Sequence, residues 1–224
     1  MSITSQRVER THAVHASAPV GWLLVLGGLL YFVGGSMHPS QDPERVSLKE
    51  HLRVMYEDSA WYPSHSLFLV GMILLAAALV VFARDGSLRE HGGRAHTAVV
   101  VAAAATTFAA AGSLLHLVAG SEADRIASGA NTPLTDVLLV VETIYAPAFG
   151  LAIAALAVVG AMTRTIGNWV AAVFGVIGGL AYALAGGTFL LTDALDPLFP
   201  ISSGMAVWAL IAGVVAVLRA RGAK

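Results

Sequence analysis

The chain contains no cysteine and little charge. With none among 224 residues, disulfides, thiolate zinc sites, iron–sulfur ligation and cysteine nucleophiles are excluded. Charged residues make up 12% of the chain, about half of the ~25% a soluble domain carries. A soluble fold of this size could not cover its surface with so few, so lipid must cover much of it. The hydrophobic share of 57% and a mean hydropathy of +0.75 agree. The net charge of −1 and the lack of a basic patch interleaved with aromatics give no sign of a nucleic-acid partner. HExxH, P-loop, GxSxG and GxGxxG patterns are all missing. No linker or charge block divides the chain, and no convincing internal repeat appears.

Six apolar runs are present, at about 19–38, 63–83, 97–119, 134–163, 168–192 and 199–218. Each meets the ~20 residues needed to cross a hydrocarbon core of ~30 Å. The first run is long for the core of a signal peptide and no cleavage site clearly ends it, so it reads as an uncleaved span. The expected fold is therefore all-α, a polytopic membrane bundle of six transmembrane helices. Residues 1–18 form an N-terminal tail and 19–224 a single domain. Pro147 should kink the fourth span. Gly175, Gly178, Gly179, Gly186 and Gly187 should let the fifth approach its neighbours closely. Between the first two spans, apolar residues at near-helical spacing predict a short surface helix at about 45–57, with Ser47 and Glu50 as a capping box.

Six spans put both termini on one side, and charge says which. Nine of the 13 Lys and Arg residues share the side of the termini, and Arg45, Lys49, Arg53 and Arg125 lie opposite. The positive-inside rule then places both termini in the cytoplasm of a multi-pass plasma-membrane protein.

Polar residues gather at one depth. His38 ends the first span, His65 opens the second, and His116 sits one turn before the third ends. At about 1.5 Å of rise per residue, all three fall within ~5 Å of the outer boundary. Glu142 lies two turns into the fourth span from the same side, and Asp193 closes the fifth. Ionisable groups within spans are costly and usually face the bundle interior. One reading makes His38, His65, His116 and Glu142 ligands of a transition metal, Zn or Fe, with Ser113, Tyr145 and Asp193 behind them. Such an ion would suit hydrolysis or oxidation of a lipid-borne substrate.

Three other readings stay open. His65 and His116 would ligate haem b axially for electron transfer. Glu142 beside Pro147 would serve a small-solute or proton-coupled carrier. Small-residue faces would bind another membrane protein in an assembly. The plainer expectation is that each histidine is interfacial or hydrogen-bonded packing. Trp22, Trp61, Trp169 and the deeper Trp208 read as an aromatic belt, and His12, His15, His51, His91 and His96 as solvated.

One pattern resembles a known group. An apolar span ending in His38-Pro39, an acidic stretch from Asp42 to Asp58, and Trp61-x-x-x-His65 opening the next span are similar to a group of small actinobacterial six-helix integral membrane proteins. The resemblance covers the first eighty-odd residues and implies the six-helix plan; no activity is attached to that group. The paired His-x-x-x-His that holds zinc on a late helix of the alkaline ceramidase and adiponectin-receptor superfamily is missing.

Overall fold

A computed structural model describes residues 14–39, 47–91, 93–189, 191 and 193–222. Among these residues the structure is entirely helical. Its helices are α1 (Ala18–Ser36), α2 (Leu48–Glu57), α3 (Trp61–Ala83), α4 (Gly86–His91), α5 (Arg94–Ala119), α6 (Ala123–Ala127), α7 (Pro133–Thr163), α8 (Trp169–Ala185), α9 (Leu198–Ile201) and α10 (Gly204–Gly222). Six segments are long and apolar enough to span a membrane: α1, α3, α5 with α6, α7, α8 with the turn after it, and α9 with α10. Side chains such as Trp22, Ile73, Val101, Ile144, Val173 and Ile177 are about half exposed. An apolar surface of this kind needs lipid rather than water around it. The molecule is a multi-pass membrane protein.

The six long helices alternate in direction and close a ring in chain order: α1 packs on α3, α3 on α5, α5 on α7, α7 on α8, α8 on α10, and α10 back on α1. Both chain ends meet at one end of the ring. There Ala16 donates its N–H to the Thr165 carbonyl at 2.9 Å, and Arg219 donates to the Arg164 carbonyl at 2.8 Å.

Small residues set the spacing. A Cβ on Gly34 would fall 2.8 Å from the Ser64 carbonyl oxygen, so α1 and α3 touch backbone to backbone at the end opposite the termini. The glycines expected to help the fifth span do so inside this chain. Gly175 packs between Ala157 of α7 and Trp208 of α10, Gly178 faces α10, and Gly179 faces Gly150 of α7. An assembly role through that face therefore loses the lipid-exposed glycine surface that would favour it.

Several local expectations change. The helix at 48–57 begins after Ser47, whose hydroxyl accepts from the Glu50 N–H at 3.2 Å. The Glu50 carboxylate does not complete a capping box; it turns to Arg53. The part of the expected surface helix at 45–46 lies outside the described residues, as does the tail at 1–13. α7 stays helical through Pro147. The expected fifth span ends sooner, at Ala185, and continues as 3-10 turns, while the sixth begins in earnest at Gly204.

Trp61 is not part of an interfacial belt. It is fully buried, as is Trp208, while Trp22 and Trp169 stay exposed as expected. Glu122, in the connection between α5 and α7, is 4% exposed and accepts the N–H groups of Leu134 and Thr135 at 3.2 and 2.8 Å. It caps α7, whose positive end favours a carboxylate.

Candidate functional site

His38, His65 and His116 come together at the end of the ring opposite the termini. The His38 and His65 ring centres are 4.8 Å apart, and those of His65 and His116 are 4.7 Å apart. α1, α3 and α5 each deliver one histidine, in the order in which they pack. Trp61, one turn before His65, lies against it at 3.7 Å between ring centres and against His116 at 5.1 Å. Room for the indole comes from Gly120, where a Cβ would overlap the Trp61 ring.

Hydrogen bonds fix two of the imidazoles. His65 Nδ1 is 2.8 Å from the Trp61 carbonyl oxygen, and His38 Nδ1 is 2.7 Å from that of Pro39. A carbonyl only accepts, so Nδ1 carries the proton in both rings and Nε2 holds the lone pair. The Ser64 hydroxyl donates to the same Trp61 carbonyl at 3.0 Å and lies 3.1 Å from His65 Nδ1. His38 lies two residues beyond α1. Burial, followed by the neighbouring His116 imidazole, pushes its pKa down to about 4, so the ring is neutral.

His116 has a different partner. Its Nδ1 is 3.4 Å from Glu142 Oε2, while Glu142 Oε1 accepts the Tyr145 hydroxyl at 3.0 Å. Both acid and phenol are almost fully buried. A Cβ on Gly112 would overlap the Tyr145 ring, so that glycine makes space for it. His116 Nε2 and Glu142 Oε2 are buried and have no hydrogen-bond partner. Two such orphans in one place are uncommon in a native interior and call for an explanation such as water or an ion. Glu142 does not turn to a carbonyl freed by Pro147.

Beyond Tyr145 the polar side chains continue. Tyr182 of α8 is half-buried, and Tyr31 of α1 is buried.

Other expected site residues fall elsewhere. The Ser113 hydroxyl sits one turn before His116 but donates back to the Ala109 carbonyl at 2.9 Å. The side chain of Asp193 lies outside the described residues. Among the described residues, no group of three or more His, Asp or Glu side chains is arranged as it stands to hold a metal ion.

Sequence reasoning missed His51. It is half-buried on α2 and near enough to His38 that its charge would oppose protonation there. Its position one turn before Met55, on the buried side of an amphipathic helix, was the available signal.

α2 covers the cluster. Leu52, Met55 and Tyr56 pack with Trp61, Ala119, Leu138 and Leu139. Lys49 ties the helix to α7 through Asp136 at 2.7 Å and Thr132 at 3.0 Å. No protein-family model, curated protein or solved structure matches the chain.

Proposed function

We propose that the histidine cluster binds a transition-metal ion, zinc or iron, in a plasma-membrane protein whose termini are cytoplasmic. The observation that carries this reading is the state of the three imidazoles. Each Nδ1 faces an oxygen, from Pro39, Trp61 or Glu142. Each Nε2 has no hydrogen-bond partner among the described residues, and that of His116 is wholly buried. Metal-binding histidines have this pattern, an outer nitrogen tied to a carbonyl or carboxylate and an inner one free.

Metal–nitrogen bonds of about 2.0–2.1 Å put adjacent ring centres roughly 5 Å apart, close to the spacings seen here. The three donors do not yet converge. Binding requires the imidazoles to swing their Nε2 atoms together about the Nδ1 contacts that hold them. Glu142 then orients His116 rather than serving as a fourth ligand. An ion so held would supply Lewis-acid or redox chemistry to a lipid-borne substrate. Haem fits less well, because axial imidazoles stand on opposite faces of a macrocycle, whereas His65 and His116 are 4.7 Å apart with Trp61 against both.

The test is elemental analysis and a visible spectrum of detergent-purified protein, as isolated and after supplementation with zinc and iron. Near-stoichiometric metal, lost in His65→Ala and in His116→Ala, is the expected result. A Soret band would transfer the site to haem. Protein that stays colourless and metal-free would end both readings.

A second reading rests on the buried group His116, Glu142 and Tyr145 inside the spans. Linked titratable groups of this kind suit a proton-coupled carrier. Its support would be proton uptake into dye-loaded vesicles that Glu142→Gln abolishes.

A further inference from the structure

At the end of the ring away from the histidines, the chain gathers around one backbone carbonyl. Arg164 opens the turn between α7 and α8 in the left-handed region, at φ 57°. Its carbonyl accepts from His15 Nδ1 and from Arg219 Nη1, each at 2.8 Å. His15, expected to be solvated, is thus fixed to the turn. A cavity of about 410 Å³ opens here, lined by His15, Arg164, Arg219 and Gly222.

No carboxylate among the described residues lines this cavity. Among the described residues, neither Arg164 nor Arg219 belongs to any of the ion pairs. Arg219 uses one guanidinium nitrogen on the Arg164 carbonyl, which leaves the rest of its donors for another acceptor. Two of the lining residues carry permanently charged side chains, and an anion in the cavity would relieve their mutual repulsion. Guanidinium forks match phosphate oxygens in shape as well as charge.

The surroundings indicate where that phosphate comes from. Met162 and Leu218, which precede the two arginines, are 63% and 59% exposed. Trp169, at the start of α8, is 60% exposed. Exposed apolar side chains therefore lie within two residues of each arginine along the chain, at the ends of the spans. We propose that the cavity between His15, Arg164 and Arg219 binds the phosphate headgroup of an anionic phospholipid, whose chains lie along Met162 and Leu218. A free phosphate shares the headgroup's chemistry but not the chains.

The test uses the full-length protein in detergent, with thermal unfolding followed by tryptophan fluorescence. Short-chain phosphatidylglycerol, phosphatidylcholine and inorganic phosphate are compared at one ionic strength. Phosphatidylglycerol should raise the unfolding midpoint, and the other two should not. Arg164→Gln should weaken phosphatidylglycerol binding roughly tenfold or more. Arg84→Gln, at the same end but outside the cavity, should leave it unchanged. Equal protection by inorganic phosphate would overturn the lipid source in favour of a soluble phosphate compound. Equal protection by both lipids, or unchanged binding in Arg164→Gln, would overturn the site. Arg219→Gln also loses the bond to the turn, so native mass spectrometry of the unmodified protein supplies the second readout. There, retained phosphatidylglycerol adducts without phosphatidylcholine adducts support the site, and no preference overturns it.

Discussion

Glu142 concentrates the chemistry of the bundle in one side chain. One carboxylate oxygen takes the Tyr145 hydroxyl, and the other faces His116 with no hydrogen bond completed. Replacing Tyr145 by Phe should leave the first oxygen unsatisfied as well. An unmet buried acceptor costs about 1–3 kcal/mol, so Tyr145→Phe should lower the unfolding midpoint in detergent. Trp61→Ala should cost more, about 3–5 kcal/mol for a fully buried aromatic, and should also disturb His65 and His116, which lean on the indole. Nitrogen chemical shifts of the histidine rings would report that disturbance separately from stability. The depth of these residues could be read in the sequence, because a histidine or glutamate inside an apolar run is conspicuous and helix rise fixes its level. Their direction could not be. A helix apolar all round carries no stripe to say which side faces inward, so Ser113 was expected beside His116 although its hydroxyl turns back to Ala109.

Among the elements, α2 is the one whose attachment can be loosened selectively. Arg53 holds the exposed Glu50 carboxyl below its ordinary pKa, chiefly through their hydrogen bonds, and also pairs with Glu57 at 2.6 Å. A carboxyl with a lowered folded-state pKa contributes stability above its unfolded value, about 4.3. That contribution disappears as the pH falls through the folded value. Backbone hydrogen exchange across Leu48–Glu57, corrected for its intrinsic pH dependence, should therefore be steady near neutrality and quicken only in acid. Ser47→Ala should weaken the same helix by about 1 kcal/mol at any pH, because the N-cap bond from Glu50 does not depend on that titration. α5 is the opposite case. Gly112→Ala should push the added methyl into the Tyr145 ring, lowering stability and shifting the His116 ring signal together. Why α2 could be foreseen and its partners could not follows from range. Its cap and apolar spacing lie within a dozen residues, whereas Lys49 reaches Asp136 from a distant part of the chain, and local pattern holds no trace of that contact.

For the whole molecule, the six-span plan was legible because every span is an apolar run of sufficient length, and only its ends moved. Reporter fusions after Ala60 and after Ala83 should give opposite signals, with the second reporting the cytoplasm. Equal signals would contradict the alternating ring. Its closure was not legible, since nothing in a run of Ala, Val and Leu says which run it touches. The seam joins the first span to the last: a Cβ on Gly21 would meet the Gly213 carbonyl oxygen at 2.7 Å, and α10 lies between α1 and α8. Synthesis proceeds from the N-terminus, so this seam cannot form until α10, the last of the six spans, has been made. Every histidine and acid of the cluster is already in the membrane by residue 142, while the wall that α10 will form is still missing. Until α10 is in place, the ring has no wall between α1 and α8, and the groove that holds the polar side chains stays open along that side.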